Sequence, residues 1–248
     1  MSGLKEPIIY VITICWNESK FLPYFLDYYS FAKKIIVFDN MSSDNSVEIM
    51  KRYNNVEISY YNTNEQIRDD IYLEIKNNVW KQYRNECDWF IIVDIDEIIY
   101  HPMGISKYIK QIPKNIAMLK SNGFEMFYPN ITNLSSTNLF EISKFGLPGS
   151  KLNKISIINS KLVYDINYLE GCHEAYPKIN GILHVDPQVK LLHYKFISPI
   201  DDMINRYQTM SKRLSIENIK GGYGVHYSNI NSLIKKYNDL SQNSKQVI

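Results

Sequence analysis

The sequence predicts an α/β fold: a mostly parallel central sheet flanked by helices, with a helical extension at the C-terminus. Three observations predict it. Short apolar, β-branched runs alternate with segments whose apolar residues recur at helical spacing through the first 93 residues, the pattern of strand–helix–strand units. Polar clusters follow three of these runs, at 16–18, 39–44 and 94–97. In a parallel sheet such clusters share one edge, the edge where ligands bind. The chain has 248 residues and 45% hydrophobic content, enough for one core and a small appendix.

The elements follow in order. Residues 8–14, Ile-Ile-Tyr-Val-Ile-Thr-Ile, read as a first buried strand. Phe21, Leu22, Phe25, Leu26 and Tyr29 mark a helix over 21–31. Ile35 to Phe38 is a second strand, and the Asp39–Ser46 turn caps a helix over 47–53. A strand at 56–61, a helix at 67–83 and a strand at 89–93 complete the alternation. Beyond Tyr100 the pattern loosens. A helix over 105–112 ends at Pro113, and strands are expected at 116–119, 123–128, 155–159 and 189–193. Residues 130–149, rich in Asn, Ser and Thr, read as a long loop or flap. A helical stripe over 201–219, the glycine-rich break at 221–224 and a polar helix over 230–240 form the extension. Two units are therefore expected, 1–200 and 201–248, the second packed on the first.

Composition narrows the function. A net charge of +2 gives no electrostatic footprint for nucleic acid. Cys15, Cys87 and Cys172 are odd in number and widely spaced, so neither a disulfide framework nor a thiolate metal site is expected. No apolar run approaches the ~20 residues of a membrane span. A cytoplasmic protein, soluble or peripheral at a membrane, is the expectation.

The chemistry concentrates in Asp94-Ile95-Asp96-Glu97, just past the apolar run Trp89–Val93. Carboxylates leaving a core together must meet water, a base or a cation, because burying them unpaired is too costly. Mg²⁺ and Mn²⁺ favour such oxygen ligands together with substrate phosphates.

With Trp16-Asn17-Glu18 after the first strand, Asp39-Asn40-Met41-Ser42-Ser43-Asp44 after the second, Trp89 to Glu97, and Leu191-Leu192-His193-Tyr194 downstream, the chain resembles GT-A (Rossmann-like) nucleotide-sugar glycosyltransferases. It is similar to the inverting family two and to relatives carrying a W-x-x-x-x-D-x-D-E motif. The resemblance covers roughly residues 8–200. It implies a metal-dependent inverting transferase, a nucleoside-diphosphate sugar donor (a UDP-sugar foremost), and a glycan or glycoconjugate acceptor in surface polysaccharide or glycoprotein glycan synthesis. A lipid-linked acceptor would add a peripheral membrane contact. It implies Mn²⁺ or Mg²⁺ held by Asp94, Asp96 or both, with His193 as a third ligand. Asp94 would also touch the ribose, and Asp39 the base or ribose. Thr13, Trp16, Asn17 and Glu18 would line the nucleoside pocket, while Arg68 and Lys154 would meet base or diphosphate. An inverting enzyme needs a carboxylate base near the acceptor hydroxyl. Asp165, Glu170 and Glu174 fall in the window where the family carries it, with Glu125 and Glu141 earlier. Glu174, in Gly171-Cys172-His173-Glu174, is the first choice and Glu125 the second.

Arg206 and Arg213 are seven apart and lie near one helical face, and one of them is expected to reach acceptor or diphosphate. Two rivals stand beside the transferase. A nucleotidyltransferase of related fold would carry a Gly-rich phosphate loop after strand one, where this chain has Cys15 to Glu18. A non-catalytic sugar- or nucleotide-binding module would not need the intact Asp94/Asp96 pair.

Overall fold

A computed structural model describes residues 5–128 and 139–248. The expected α/β class is borne out. The elements are β1 (Ile9–Cys15), α1 (Leu22–Tyr28), β2 (Lys34–Asp39), α2 (Ser46–Met50), β3 (Val56–Tyr60), α3 (Asp69–Asn78), β4 (Trp89–Ile92), β5 (Glu97–Tyr100), α4 (Ile105–Gln111) and β6 (Ile116–Phe127). They continue as α5 (Leu139–Ile142), β7 (Phe145–Pro148), β8 (Ile155–Asn159), β9 (Val163–Asp165), β10 (Lys178–Ile179), β11 (Ile182–Phe196), α6 (Ile200–Lys212), α7 (Ile216–Gly221), α8 (Ile230–Asn243) and β12 (Lys245–Gln246).

β1 lies between β2 and β4 and runs parallel to both, with Ile12 opposite Ile36 and Ile92. β3 extends this parallel block beyond β2. On the other side β8 pairs antiparallel with β4 and β6, and β7 and β12 follow antiparallel. β11 runs parallel to β6 and antiparallel to β5. Both faces of the parallel block are covered, which is why β1 reads as a continuous apolar run rather than an alternation. Ile9, Val11 and Cys15 pack into one core layer with Phe25 and Tyr29 of the α1 side. Tyr10 and Ile12 face the opposite layer, with Trp80 and Phe90.

Several boundaries differ from expectation for identifiable reasons. The helix expected over 67–83 is α-helical only to Asn78 and continues as a 3₁₀ turn over Val79–Tyr83. The Trp80 indole donates to the Asn77 carbonyl at 2.9 Å, an acceptor that an α-helix gives to residue 81. The two strands expected at 116–119 and 123–128 are one strand, β6, whose register shifts where it meets β8 at Leu119/Lys120. β11 begins seven residues before the expected Val189, with a register shift between Val185 and Lys190. β5 was not expected, because its first residue, Glu97, read as the tail of the acidic motif. The loop expected at 130–149 lies outside the described residues up to 138. After them it contains α5 and β7.

The C-terminal segment is stitched into the sheet. β12 pairs with β7, and α6 and α8 pack on Phe127 and Phe196 through Met203, Tyr207, Leu233 and Leu240. The stripe expected over 201–219 breaks between α6 and α7, where the Ile67 amide donates to the Arg213 carbonyl at 2.7 Å. Ser215 then starts α7 as its cap, its hydroxyl accepting from the Asn218 amide at 3.1 Å. Among the described residues no helix is long and apolar enough to cross a membrane.

One close approach positions the site. A Cβ built on Gly123 would lie 2.1 Å from the Leu152 Cβ and 2.4 Å from the Leu152 carbonyl carbon. Only glycine lets the turn leading to β8 sit against β6, where the Gly123 amide donates to Asn153 Oδ1 at 2.8 Å. Gly123→Ala is expected to lower the unfolding free energy by about 3 kcal/mol, the upper range for overpacking. Urea denaturation measures it, and an unchanged midpoint would show that the turn yields freely.

Candidate functional site

The acidic motif is a tight turn between β4 and β5, closed by the Glu97 amide donating to the Asp94 carbonyl at 3.0 Å. Its side chains have unequal partners. Asp94 Oδ1 lies 2.5 Å from the Lys76 ammonium, and Oδ2 lies 3.6 Å from that of Lys154. Lys154 also meets Glu97 Oε1 at 2.5 Å, and Glu97 Oε2 accepts from the Asp94 amide at 3.1 Å. Lys76, Lys154 and Glu97 are buried, while Asp94 opens to a cleft. Burial disfavours the charge on Asp94, but Lys76 and then Lys154 outweigh it and hold the carboxyl well below its usual range. Burial would likewise depress both lysines, yet Asp94 keeps Lys76 raised and Glu97 keeps Lys154 raised.

Asp96 belongs to a second group. His193 lies on β11, in register with Glu97 of β5 and Glu125 of β6. Its Nε2 is 3.2 Å from Asp96 Oδ2, and its Nδ1 hydrogen-bonds Glu125. Burial opposes a charged ring, but Asp96 and Glu125 outweigh it and lift the imidazole to about 10. Burial raises and His193 lowers Asp96, which settles at about 2. The ring is an imidazolium held between two carboxylates.

The opposite wall comes from the C-terminal helices. Arg206 of α6 forms a fork on Glu18, with Nη1 3.3 Å from Oε2 and Nη2 bonded to Oε1. The Arg213 guanidinium lies 3.0 Å from the Trp16 ring centroid, and its Nε donates to the Glu65 carbonyl at 2.6 Å.

Six of the residues expected from sequence line one cleft of about 540 Å³: Trp16, Glu18, Asp94, Asp96, Lys154 and His193. Three further candidates, Glu170, Arg206 and Arg213, line it too, and the rest lie elsewhere. Thr13 and Asp39 are fully buried below it, and among the described residues Thr13 Oγ1 and Asp39 Oδ1 have no hydrogen-bond partner. Asp39 Oδ2 accepts from the Ser42 amide at 2.9 Å. Asn17 ties down the neighbouring turn by accepting from the Ser43 amide at 2.8 Å. Arg68 pairs with Asp70 at 2.6 Å and is 3.8 Å from Glu217. Glu125 stands behind His193 and positions it. Glu174, the first choice for a base, is exposed and outside the cleft, whereas Glu170 on the same turn lines it.

Lys76 was missed by sequence reasoning. Its signal was the spacing of Asp69, Tyr72, Leu73 and Lys76, one face of α3, all of which line the cleft. The expected pair Arg206 and Arg213 does reach it.

The donor set constrains a metal. Among the described residues no three His, Cys, Asp or Glu side chains converge as a ready-made cage, because the oxygens of Asp94 are engaged by ammonium groups. Asp96 and His193 remain as adjacent donors. Mg²⁺ and Mn²⁺ take few protein ligands where substrate phosphates supply the rest, so the residues fit such an ion as a diphosphate complex. Ligation through Nε2 requires His193 to release its proton.

No protein-family model matches the chain, and no curated protein matches it by sequence. Solved structures resemble it at low identity. Glucosyl-3-phosphoglycerate synthase from Mycobacterium tuberculosis, in complex with uridine-diphosphate, is similar over 67% of this chain and 62% of its own length, under two thirds, at 13% identity and a TM-score of 0.38. The same enzyme in complex with phosphoglyceric acid aligns over 84% and 80%, at 13% identity and 0.41. HddC from Yersinia pseudotuberculosis aligns over 83% of this chain and 99% of its own, at 12% and 0.41. These likenesses concern the path of the chain and carry nothing about its substrates.

The charged imidazole has a pH signature. Its folded value of about 10 lies above the ~6.5 of a free histidine, so its stabilisation is complete below pH ~6.5 and is lost as pH rises towards 10. Imidazole NMR at pH 8 is expected to show both ring nitrogens protonated, with Glu125→Gln lowering the titration midpoint. A neutral ring at pH 8 would refute the arrangement.

Proposed function

We propose that this protein transfers a sugar from a nucleoside-diphosphate sugar, a UDP-sugar foremost, to a glycan or glycoconjugate acceptor, inverting the anomeric centre. The observation that carries this proposal is the turn Asp94–Glu97 at the carboxyl end of β4. It opens into a cleft whose volume suits a small-molecule substrate and whose cations are already placed for phosphates. A nucleoside fits the end formed by Trp16 and Tyr72, at β1 and α3. The unpartnered Asp39 Oδ1 beneath that end is an acceptor for a base N–H once the side chains above it move. The diphosphate then lies over Asp94 and Asp96, within reach of Lys76 and Lys154.

A divalent cation bound at Asp96 and His193 would neutralise charge that builds on the leaving diphosphate. The chain's own cations contribute to the same end. Lys76 and Lys154 stay protonated at any working pH, and Arg206 trades its Glu18 fork for substrate oxygens. Glu125 holds the ring of His193 in place. Glu170 lines the cleft beside Tyr223, and there it takes the proton of the acceptor hydroxyl as that oxygen attacks. The rival nucleotidyltransferase lacks its phosphate loop, because the turn after β1 is Cys15-Trp16-Asn17-Glu18.

Calorimetric titration with UDP, GDP and CDP, each with and without Mn²⁺, tests the donor. UDP binding is expected to need the metal, and Asp96→Ala is expected to lose on the order of 100-fold in turnover. Preference for a nucleoside triphosphate, with pyrophosphate released, would replace the transferase by the nucleotidyltransferase. Glu170→Gln keeps the shape of the side chain and is expected to cut turnover by on the order of 100-fold or more while UDP affinity stays constant. Full turnover in that variant would remove the base assignment.

A further inference from the structure

We infer that the far end of the cleft is an anion subsite, and that the acceptor carries a phosphate or carboxylate group close to the hydroxyl that is glycosylated. The inference deepens the transferase reading and rests on it for the word acceptor. The subsite itself rests on Lys151, His173, Lys195 and His226, all of which line the cleft.

Their place in the fold separates them from the donor. The sheet runs β1, β4, β8 in that order. Trp16 follows β1, the Asp94–Glu97 turn follows β4, and Lys151 lies in the turn that leads into β8. Lys195 follows His193 by two residues on β11, and so lies on the same face of that strand. His173 comes from the loop between β9 and β10, and His226 from the turn before α8. Lys151, Lys195 and His226 thus stand beyond the diphosphate position, where the acceptor enters, and His173 borders it, within electrostatic range of Lys154, Glu97 and Asp94.

The cluster is held together without being neutralised. The Lys195 ammonium lies 4.9 Å from the Tyr207 ring centroid and 5.3 Å from that of Tyr227. The His226 ring lies tilted against that of Tyr227, their centroids 4.1 Å apart, and 6.0 Å from that of Tyr207. Ring faces attract an ammonium group but leave its charge intact. The His173 ring bonds the Lys151 backbone. Among the described residues neither Lys151 nor Lys195 makes an ion pair, whereas the donor-side cations Lys76, Lys154 and Arg206 all do.

The histidines complete the chemistry. Burial, then Lys195, Lys151 and His173, hold His226 down to about 4. Burial, then Lys154, lowers His173. Both rings are neutral at pH 7; the one N–H of His173 is engaged by the Lys151 backbone, and that of His226 is available. Two free ammonium groups and the His226 imidazole suit an oxyanion, which supplies several acceptor oxygens and the missing negative charge. Two carboxylates also face the group: Glu170 at the lip beside Tyr223, and Glu125 within electrostatic range of Lys195. They limit the subsite to one anionic group, and Glu170 remains free to act on a neutral hydroxyl next to it.

Proton NMR of the His173 and His226 rings tests the subsite in the full chain, held at saturating UDP and diamagnetic Mg²⁺ so that the diphosphate position is filled. Inorganic phosphate, and acetate in a parallel titration, are the probes. Phosphate, acetate or both are expected to shift the two rings saturably, and the tighter probe names the acceptor group. Lys151→Ala, on an exposed turn, and Lys195→Gln are each expected to weaken binding by about tenfold, as for loss of one charged hydrogen bond. Rings that respond only when UDP is absent would return the cluster to the donor diphosphate and overturn the inference, as would no response at tens of millimolar. UDP binding is scored separately by calorimetry. A chain that ignores UDP yet binds phosphate through these residues loses the donor assignment and keeps the anion subsite.

Discussion

Lys154 and Glu97 form the ion pair on which the rest of the site depends. Both side chains are almost fully enclosed, at 7% and 2% exposure, and their charged atoms are 2.5 Å apart. Neither charge survives alone in such a place. Removing one partner of a buried pair typically costs about 3–5 kcal/mol, because the other is left uncompensated. Asp94 and Lys76 extend the pair to two positive and two negative groups, and the Asp94 amide supplies a further hydrogen bond. The four side chains come from α3, from the β4–β5 turn and from the turn before β8. One electrostatic constraint thereby sets the spacing of three elements that surround the cleft.

The same constraint divides the labour of the acidic motif. Asp94 spends its carboxylate on ammonium groups, and Asp96 its own on an imidazolium. His193 meets Asp96 from β11, with Glu125 behind the ring. That carboxylate–imidazolium–carboxylate row explains why a ring at the edge of the sheet keeps its proton so tenaciously. A cation ligated through the His193 Nε2 would have to displace that proton.

The C-terminal helices close the cleft through charge and ring contacts more than through apolar packing. Arg206 reaches Glu18, and Arg213 lies on Trp16, so residues 188 and 197 positions apart in the sequence make the two cross-cleft contacts. Apolar packing acts behind this wall, where Met203, Tyr207 and Leu233 meet Phe127 and Phe196. The extension is anchored twice, by β12 on the sheet edge and by the backbone contact of Arg213 with Ile67 ahead of α3.

The sequence by itself determined the α/β class, a mostly parallel sheet from the first strands and the position of the acidic turn, because these follow from local hydrophobic period and from polar clusters at strand ends. Trp16, Glu18, Asp94, Asp96, Lys154 and His193 were legible as site residues for the same reason: each sits at or near the end of a readable strand. Only the tertiary structure decided how those side chains are paired. Lys76 looked like an ordinary lysine on a helix until α3 brought it against Asp94. Glu125 looked like a base until β6 placed it behind His193. Glu170 and Glu174 were indistinguishable in a Gly-led turn until the loop set one at the cleft and the other away from it, both of them exposed. β5 was hidden because a strand of four residues beginning with a glutamate has no period to read, and its partner β11 lies some ninety residues further on. Periodicity reports which face of an element is buried. Which charge meets which depends on contacts between distant segments, and those exist only once the sheet has formed.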